Sequence, residues 1–374
     1  MSKLKLGMVG GGQGAFIGGV HRMAARLDGD WELVAGALSS DPERARASAN
    51  DLGIAPDRSY ADFNVMAEAE AARADGIDAV AIVTPNHMHA APAIAFLERG
   101  IHVICDKPLA STQEEAKAIV AAAEVSEARV ILTHNYSGYP MIRQAREMVA
   151  RGDLGKVRFV AVEYVQDWLA AEPAHDNKQA AWRVDPAKAG GGAIGDIGTH
   201  AYHLAGFVSG LRCERLAADL SSFVDGRAVD DNAEVLLRYE GGAKGLLLAS
   251  QVGIGHENSL RLRVFGEAGG LEWSHEEPDL LRFTKLGAPT CLLTRNGAGA
   301  TADNSAASRV PAGHPEGYLE AFANLYRESA ALIRDPEKAS KLPDLDDGLA
   351  GMRFIAGCQK SAEQNCAWID IAAL

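Results

Sequence analysis

Two groups of residues have types and spacing suited to chemistry. The first is the run GMVGGGQGAFIGGVH at residues 7–21. A strand followed by closely spaced glycines and then a helix meets the needs of a dinucleotide pyrophosphate. Glycine permits the tight turn and close approach, and the helix N-terminus offers N–H donors at the positive end of its dipole. Gly10, Gly12, Gln13, Gly14, Ala15 and Phe16 are the expected contacts. The third glycine falls at Gly18, about three residues later than the G-x-G-x-x-G template places it. The second group is Asp196 and His200, four apart in a helical stretch, so that both side chains emerge on one face, one turn apart. Histidine titrates near neutral pH and a neighbouring carboxylate can orient it, so the pair can serve proton transfer at a single carbon.

The end of the second strand selects the dinucleotide. An acidic side chain there binds the adenosine ribose hydroxyls and repels a 2′-phosphate. This sequence has Leu38, Ser39 and Ser40 at that point, with Arg44 shortly after. Two hydroxyls and a guanidinium can hold a 2′-phosphate, which favours NADP over NAD without deciding between them. Arg44 on a solvated helix face is the competing reading, and Asp41 before Pro42 can simply open the next helix.

Three further motifs carry a resemblance: AVAIVTPNHMHA at 79–90, HVICDKP at 102–108 and GGGAIGDIGTHAYHLA at 190–205. Together, in this order, they resemble the glucose-fructose oxidoreductase / inositol dehydrogenase / MocA family across essentially the whole chain. The resemblance implies an N-terminal Rossmann domain and a C-terminal α+β domain with a large open antiparallel sheet. It also implies a homodimer or homotetramer and a cyclic sugar or inositol as substrate. The family's Glu-Lys-Pro matches Asp106-Lys107-Pro108, with aspartate in place of the commoner glutamate and Lys107 as the matched catalytic lysine. Its Asp-x-x-x-His matches Asp196 and His200, while the acidic residue often found three positions on is His203 here. Thr84, Pro85, Asn86 and His87 match the loop near the nicotinamide, and His89 is counted with the cofactor residues although a helix-face role competes. Tyr136, Trp182, Arg183 and His314 lie in segments that resemble the family's substrate-facing loops, with core packing or surface pairing as alternatives.

In this reading an alcohol loses its proton to His200, supported by Asp196, as hydride leaves for the nicotinamide, and Lys107 stabilises the developing negative charge on oxygen. The expected activity is NAD(P)-dependent oxidation of a ring hydroxyl to a ketone. An NADPH-dependent ketosugar reductase and a non-catalytic dinucleotide sensor on the same fold are the rivals. Asp196, His200 and His203 could ligate a metal by type, but hydride transfer to nicotinamide needs none, and no metal is expected.

These residues need elements to hold them. Short apolar runs at 4–9, 32–38, 79–83, 102–105 and 129–133 alternate with helical patterns, the signature of a doubly wound parallel sheet. Ser111 and Glu114 form a capping box that opens the helix before the last of these strands. After about residue 155, strand-like runs follow one another without helices, which suits a mostly antiparallel sheet. A long segment over 166–192 leads into a helix from about Ala193 to Val208, and 287–317 reads as an extended excursion before helices at about 316–333 and 344–365. The expected division is a dinucleotide domain over 1–133 and a substrate and oligomerisation domain over 134–374, the C-terminal helix packing back on the first. A chain of 374 residues, 47% hydrophobic, can fill two cores. Its net charge of −13 opposes nucleic acid and anionic membrane partners. Five scattered cysteines without a C-x-x-C pair suit reduced thiols in the cytoplasm.

Overall fold

The computed structural model describes residues 2–172 and 178–374; of the long segment expected over 166–192, residues 173–177 lie outside the described residues. The chain divides into two compact units, Met1–Asn135 with Leu319–Leu349, and Tyr136–Tyr318 with Ala350–Leu374.

The first unit is built on five parallel strands, β1 (Leu4–Gly10), β2 (Trp31–Ala37), β3 (Ala79–Val83), β4 (His102–Cys105) and β5 (Val130–Leu132), in the order β2-β1-β3-β4-β5. The strand order reverses between β1 and β3, and in such sheets ligands bind outside the carboxyl ends at that point. All five residues of β3 are buried, as expected of an apolar strand covered on both faces. The capping box stands one residue later than expected. Thr112 is the N-cap of the helix Gln113–Glu124 and Glu115 completes the box, while Ser111 donates to the same Glu115 carboxylate. The helix Tyr318–Arg334 enters this unit: Trp31 donates its indole N–H to the Tyr326 carbonyl at 2.8 Å, and Arg334 pairs with Asp30 at 2.6 Å.

The second unit is built on nine strands: β6 (Val157–Val165), β7 (Cys213–Ser221), β8 (Asn232–Tyr239), β9 (Lys244–Ser250), β10 (Ser259–Gly266), β11 (Gly269–Ser274), β12 (Leu280–Lys285), β13 (Cys291–Thr294) and β14 (Ile369–Asp370). Their order is β13-β12-β11-β10-β6-β9-β8-β7-β14. The sheet departs from a wholly antiparallel one in a single pairing, since β6 and β9 run parallel at its centre. That pairing sets the carboxyl ends of β6 and β9 side by side, and β10, antiparallel to β6, begins at the same edge. The excursion expected over 287–317 contains the edge strand β13 and the helix Ala302–Ala307.

Candidate active site

In the first unit, β1 ends in a turn with Gly10, Gly11 and Gly14 at φ of 81°, 72° and 78°, a region open to glycine at little cost. A Cβ on Gly12 would lie 2.6 Å from the Leu38 carbonyl oxygen, and one on Gly18 would lie 2.4 Å from the Gly11 Cα. Gly18 therefore lets the helix Phe16–Leu27 pack onto the turn, which is the third glycine's part in a phosphate loop. The loop is tied down from both sides. Arg22 donates to the Gly11 carbonyl at 2.6 Å, the Gln13 N–H donates to Ser48 at 3.0 Å, and its side chain reaches Asp51 at 2.7 Å. Arg44 donates to the Gln13 carbonyl, so its guanidinium is engaged by the loop as well as facing solvent. Asp41 caps the helix Pro42–Asp51, accepting from Glu43 and Arg44 at 2.9 Å each, and Ser39 accepts the Asp41 N–H. Ser40 and Phe16 are exposed.

Thr84 follows β3, and Asp106 and Lys107 follow β4, at the same carboxyl edge as Gly10. His89 takes a different part from the one expected. Its ring is fully buried, with Nδ1 2.8 Å from the Pro108 carbonyl oxygen and Nε2 2.9 Å from that of Thr84. Its two nitrogens thus face the carbonyls of the Thr84–Pro85–Asn86 loop and the Lys107–Pro108 loop, and because burial lowers its pKa the neutral ring donates its one N–H to one of them. Asp106 is largely covered, its side chain 15% exposed. Burial acts to raise its carboxyl, but the charge and hydrogen bond of His21 and the hydrogen bond of Thr133 hold it at about 2. His21 lies on the helix Phe16–Leu27, and its other nitrogen meets the Tyr326 hydroxyl at 2.8 Å. The Lys107 backbone is therefore bracketed by two buried histidines, one acting on each neighbour.

In the second unit, Asp196 stands on a π-helical turn, Ile194–Gly198, that runs into the α-helix Thr199–Ser209 bearing His200. Such turns often mark functional positions in helices. Oδ2 of Asp196 accepts from Arg183 Nε at 3.2 Å and from Gln251 Nε2 at 2.9 Å. The Arg183 guanidinium lies over the Trp182 ring at 4.2 Å and the Trp168 ring at 5.8 Å. Trp182 is thus half-exposed and stacked rather than a core residue. The His200 ring meets Tyr136 edge-on at 5.0 Å, and the Tyr136 hydroxyl lies 2.5 Å from that of Tyr164. Tyr164 donates to Asn258 Oδ1 at 2.7 Å, which also accepts from Gln166 at 2.6 Å. Burial, with the Asp196 charge adding to it, raises the Tyr136 hydroxyl, and burial pushes Tyr164 further up, so both remain neutral hydroxyls.

Tyr164, Gln166, Gln251 and Asn258 were not singled out from the sequence. They meet because β6, β9 and β10 end or begin at one edge, a consequence of the parallel pairing that no local pattern announces. His203 stacks on Phe207 at 5.7 Å, one helical turn beyond it. His314 is exposed, and its carbonyl is held by the buried Arg295, which also pairs with Asp279 and Glu316 at 3.0 Å.

Residues 4–145 match the model of an oxidoreductase family with an NAD-binding Rossmann fold, and residues 142–272 match the GFO/IDH/MocA C-terminal domain. The chain belongs to the GFO/IDH/MocA oxidoreductase family. The crystal structure of an oxidoreductase from Sinorhizobium meliloti is 54% identical, with a TM-score of 0.92, covering 99% of this chain and 100% of that one. An inositol dehydrogenase homologue from Azotobacter vinelandii, complexed with NADH and myo-inositol, is 38% identical with a TM-score of 0.93, covering 99% and 98%. Levoglucosan dehydrogenase of Pseudarthrobacter phenanthrenivorans is 30% identical over 312 residues, 75% of this chain and 76% of that one. This GFO/IDH/MocA member is accordingly an oxidoreductase with an NAD-binding Rossmann domain. Among its described residues no helix is long and apolar enough to cross a membrane.

Proposed function

We propose that this family member oxidises a ring hydroxyl of an inositol or cyclic sugar to a ketone, using NAD or NADP. The observation that carries the reading is the Asp196 and His200 segment set beside the Tyr136 and Tyr164 hydroxyls. A titratable base, an anchored carboxylate and two neutral hydroxyls form a surface suited to a polyhydroxylated ring. The 38% identity to an inositol dehydrogenase homologue bound to myo-inositol supports an inositol before an anhydrosugar.

When bound, the nicotinamide supplies the hydride acceptor. His200 takes the hydroxyl proton, and Asp196, held by Arg183 and Gln251, orients and charges the surroundings of that base. Lys107 donates to the substrate oxygen as negative charge grows on it. Gly10, Gly12, Gly14, Ala15 and Phe16 carry the pyrophosphate at the helix N-terminus, and Thr84, Pro85 and Asn86 serve the nicotinamide half. The exposed Phe16 and Ser40 are open to a ligand. Five free thiols agree with the cytoplasm, and a homodimer or homotetramer completes the reading.

The test is cofactor reduction with a panel of inositols, hexoses and anhydrosugars. Turnover on at least one cyclic polyol is expected, strongest among the inositols, and no reduction anywhere on the panel overturns the reading. A second reading, reduction of a ketosugar by NADPH, rests on Asp41, whose carboxylate caps a helix and leaves Ser39 and Ser40 at the ribose end. Faster oxidation of NADPH with ketosugars than reduction of NAD with polyols would favour it.

A further inference from the structure

The segment that carries Asp196 and His200 begins with Gly190-Gly191-Gly192, a stretch with no side chains to fix its course and with the largest backbone entropy to lose on folding. Its anchor comes from outside. Asp230, between β7 and β8, accepts the Gly192 N–H on Oδ1 at 2.8 Å and the Ile194 N–H on Oδ2 at 2.7 Å. The carbonyl of the same residue accepts the Ala193 N–H at 2.8 Å. Three consecutive amides at a buried helix start, each of which needs a partner, thus end on one residue. Burial raises the Asp230 carboxyl, and the Ile194 and Gly192 amides act against that rise by bonding its ionised form. The Gly192 carbonyl passes the constraint on, accepting the N–H of Gly195 at 3.1 Å and of Asp196 at 2.9 Å. The fit has no slack: a Cβ at position 192 would stand 1.7 Å from the Asp230 carbonyl oxygen, so only glycine reaches this approach.

We propose that Asp230 is a positioning residue, which sets the π-helical turn and thereby the aim of Asp196 and His200. The inference rests on the reading of that pair as the reacting groups. Its neighbour Asp231 provides a contrast built into the same loop. Asp231 is fully buried where Asp230 is half-buried, and its carboxylate accepts from Phe223 at 2.9 Å and Val224 at 3.0 Å and pairs with Arg227 at 3.3 Å, away from the catalytic segment. Loss of a carboxylate that holds backbone amides is common to both positions, and loss of aim belongs to Asp230 alone.

The experiment compares Asp230→Asn, Asp231→Asn and His200→Asn in the full chain by kcat, dinucleotide Kd and thermal unfolding. The amide of Asp230→Asn keeps the shape but turns an N–H donor toward a backbone N–H. A misplacement on the order of 1 Å can cost about 100-fold in rate. Asp230→Asn is expected to lower kcat by about that factor with dinucleotide Kd unchanged. Asp231→Asn is expected to unfold at lower temperature while keeping its kcat. Full turnover in His200→Asn would remove the reading of the pair. An inactive His200→Asn beside a fully active Asp230→Asn would remove the inference alone. Amide exchange in the unaltered chain gives the same answer without any variant: the Gly192, Ala193 and Ile194 amides are expected to exchange slowly. Exchange at the rate of an exposed loop would overturn the anchor.

Discussion

Nε2 of His21 lies 3.2 Å from Oδ1 of Asp106, the residue immediately before Lys107. The contact makes the carboxylate form of Asp106 part of the fold. Its pKa of about 2, against an ordinary 3.8, is below the unfolded value. The stability it contributes is therefore complete above about pH 4 and is lost as pH falls through the folded value near 2. By linkage that contribution is about 2 kcal/mol. Asp106→Asn should flatten the loss of stability between these limits, and urea unfolding at several acidic pH values measures it. An unaltered pH profile would exclude Asp106 as its source.

His89 makes a separate prediction, because its two ring nitrogens meet the carbonyls of Thr84 and Pro108. His89→Ala leaves both carbonyls and opens a cavity in a fully buried position. The neutral ring donates to one of them, and an unsatisfied buried group costs about 1–3 kcal/mol, so unfolding should be easier by at least that amount. If the residue were a direct cofactor contact at the surface, stability would be nearly unchanged and dinucleotide affinity alone would fall.

What the sequence disclosed follows from how local each signal is. The runs at 79–83 and 102–105 coincide with β3 and β4, since each is a short apolar run with polar or turn residues at its ends. The capping box was displaced by one residue because Ser111-x-x-Glu114 and Thr112-x-x-Glu115 both satisfy the pattern, and only packing chooses. β13 is short and mostly exposed, so its apolar alternation is too weak to stand out from a Gly- and Pro-rich stretch. The partners of Asp196 and Tyr136 were hidden for another reason. Gln251 and Asn258 lie far along the chain from Tyr164, and the pairing of β6 with both β9 and β10 gathers them.

Arg183 should matter through geometry as well as charge. It bonds Asp196 while stacked over Trp182, and a guanidinium does both where an ammonium cannot. Arg183→Ala should lower kcat/KM by roughly tenfold or more, since hydrogen bonds to charged groups contribute about 1.5–3 kcal/mol. Arg183→Lys should restore little of it. Full recovery with lysine would show that a positive charge suffices.

Arg44 decides between two uses of one side chain. Because it donates to the Gln13 carbonyl, Arg44→Ala should weaken NAD and NADP binding together, as followed by fluorescence titration. A loss confined to NADP would make Arg44 the reader of the 2′-phosphate.

The central claim concerns the lysine held between the two buried histidines. Turnover of Lys107→Ala, measured at saturating dinucleotide and polyol, should fall by at least about a hundredfold, the scale of losing one group that stabilises developing charge on oxygen. Turnover equal to that of the unaltered chain would contradict the account.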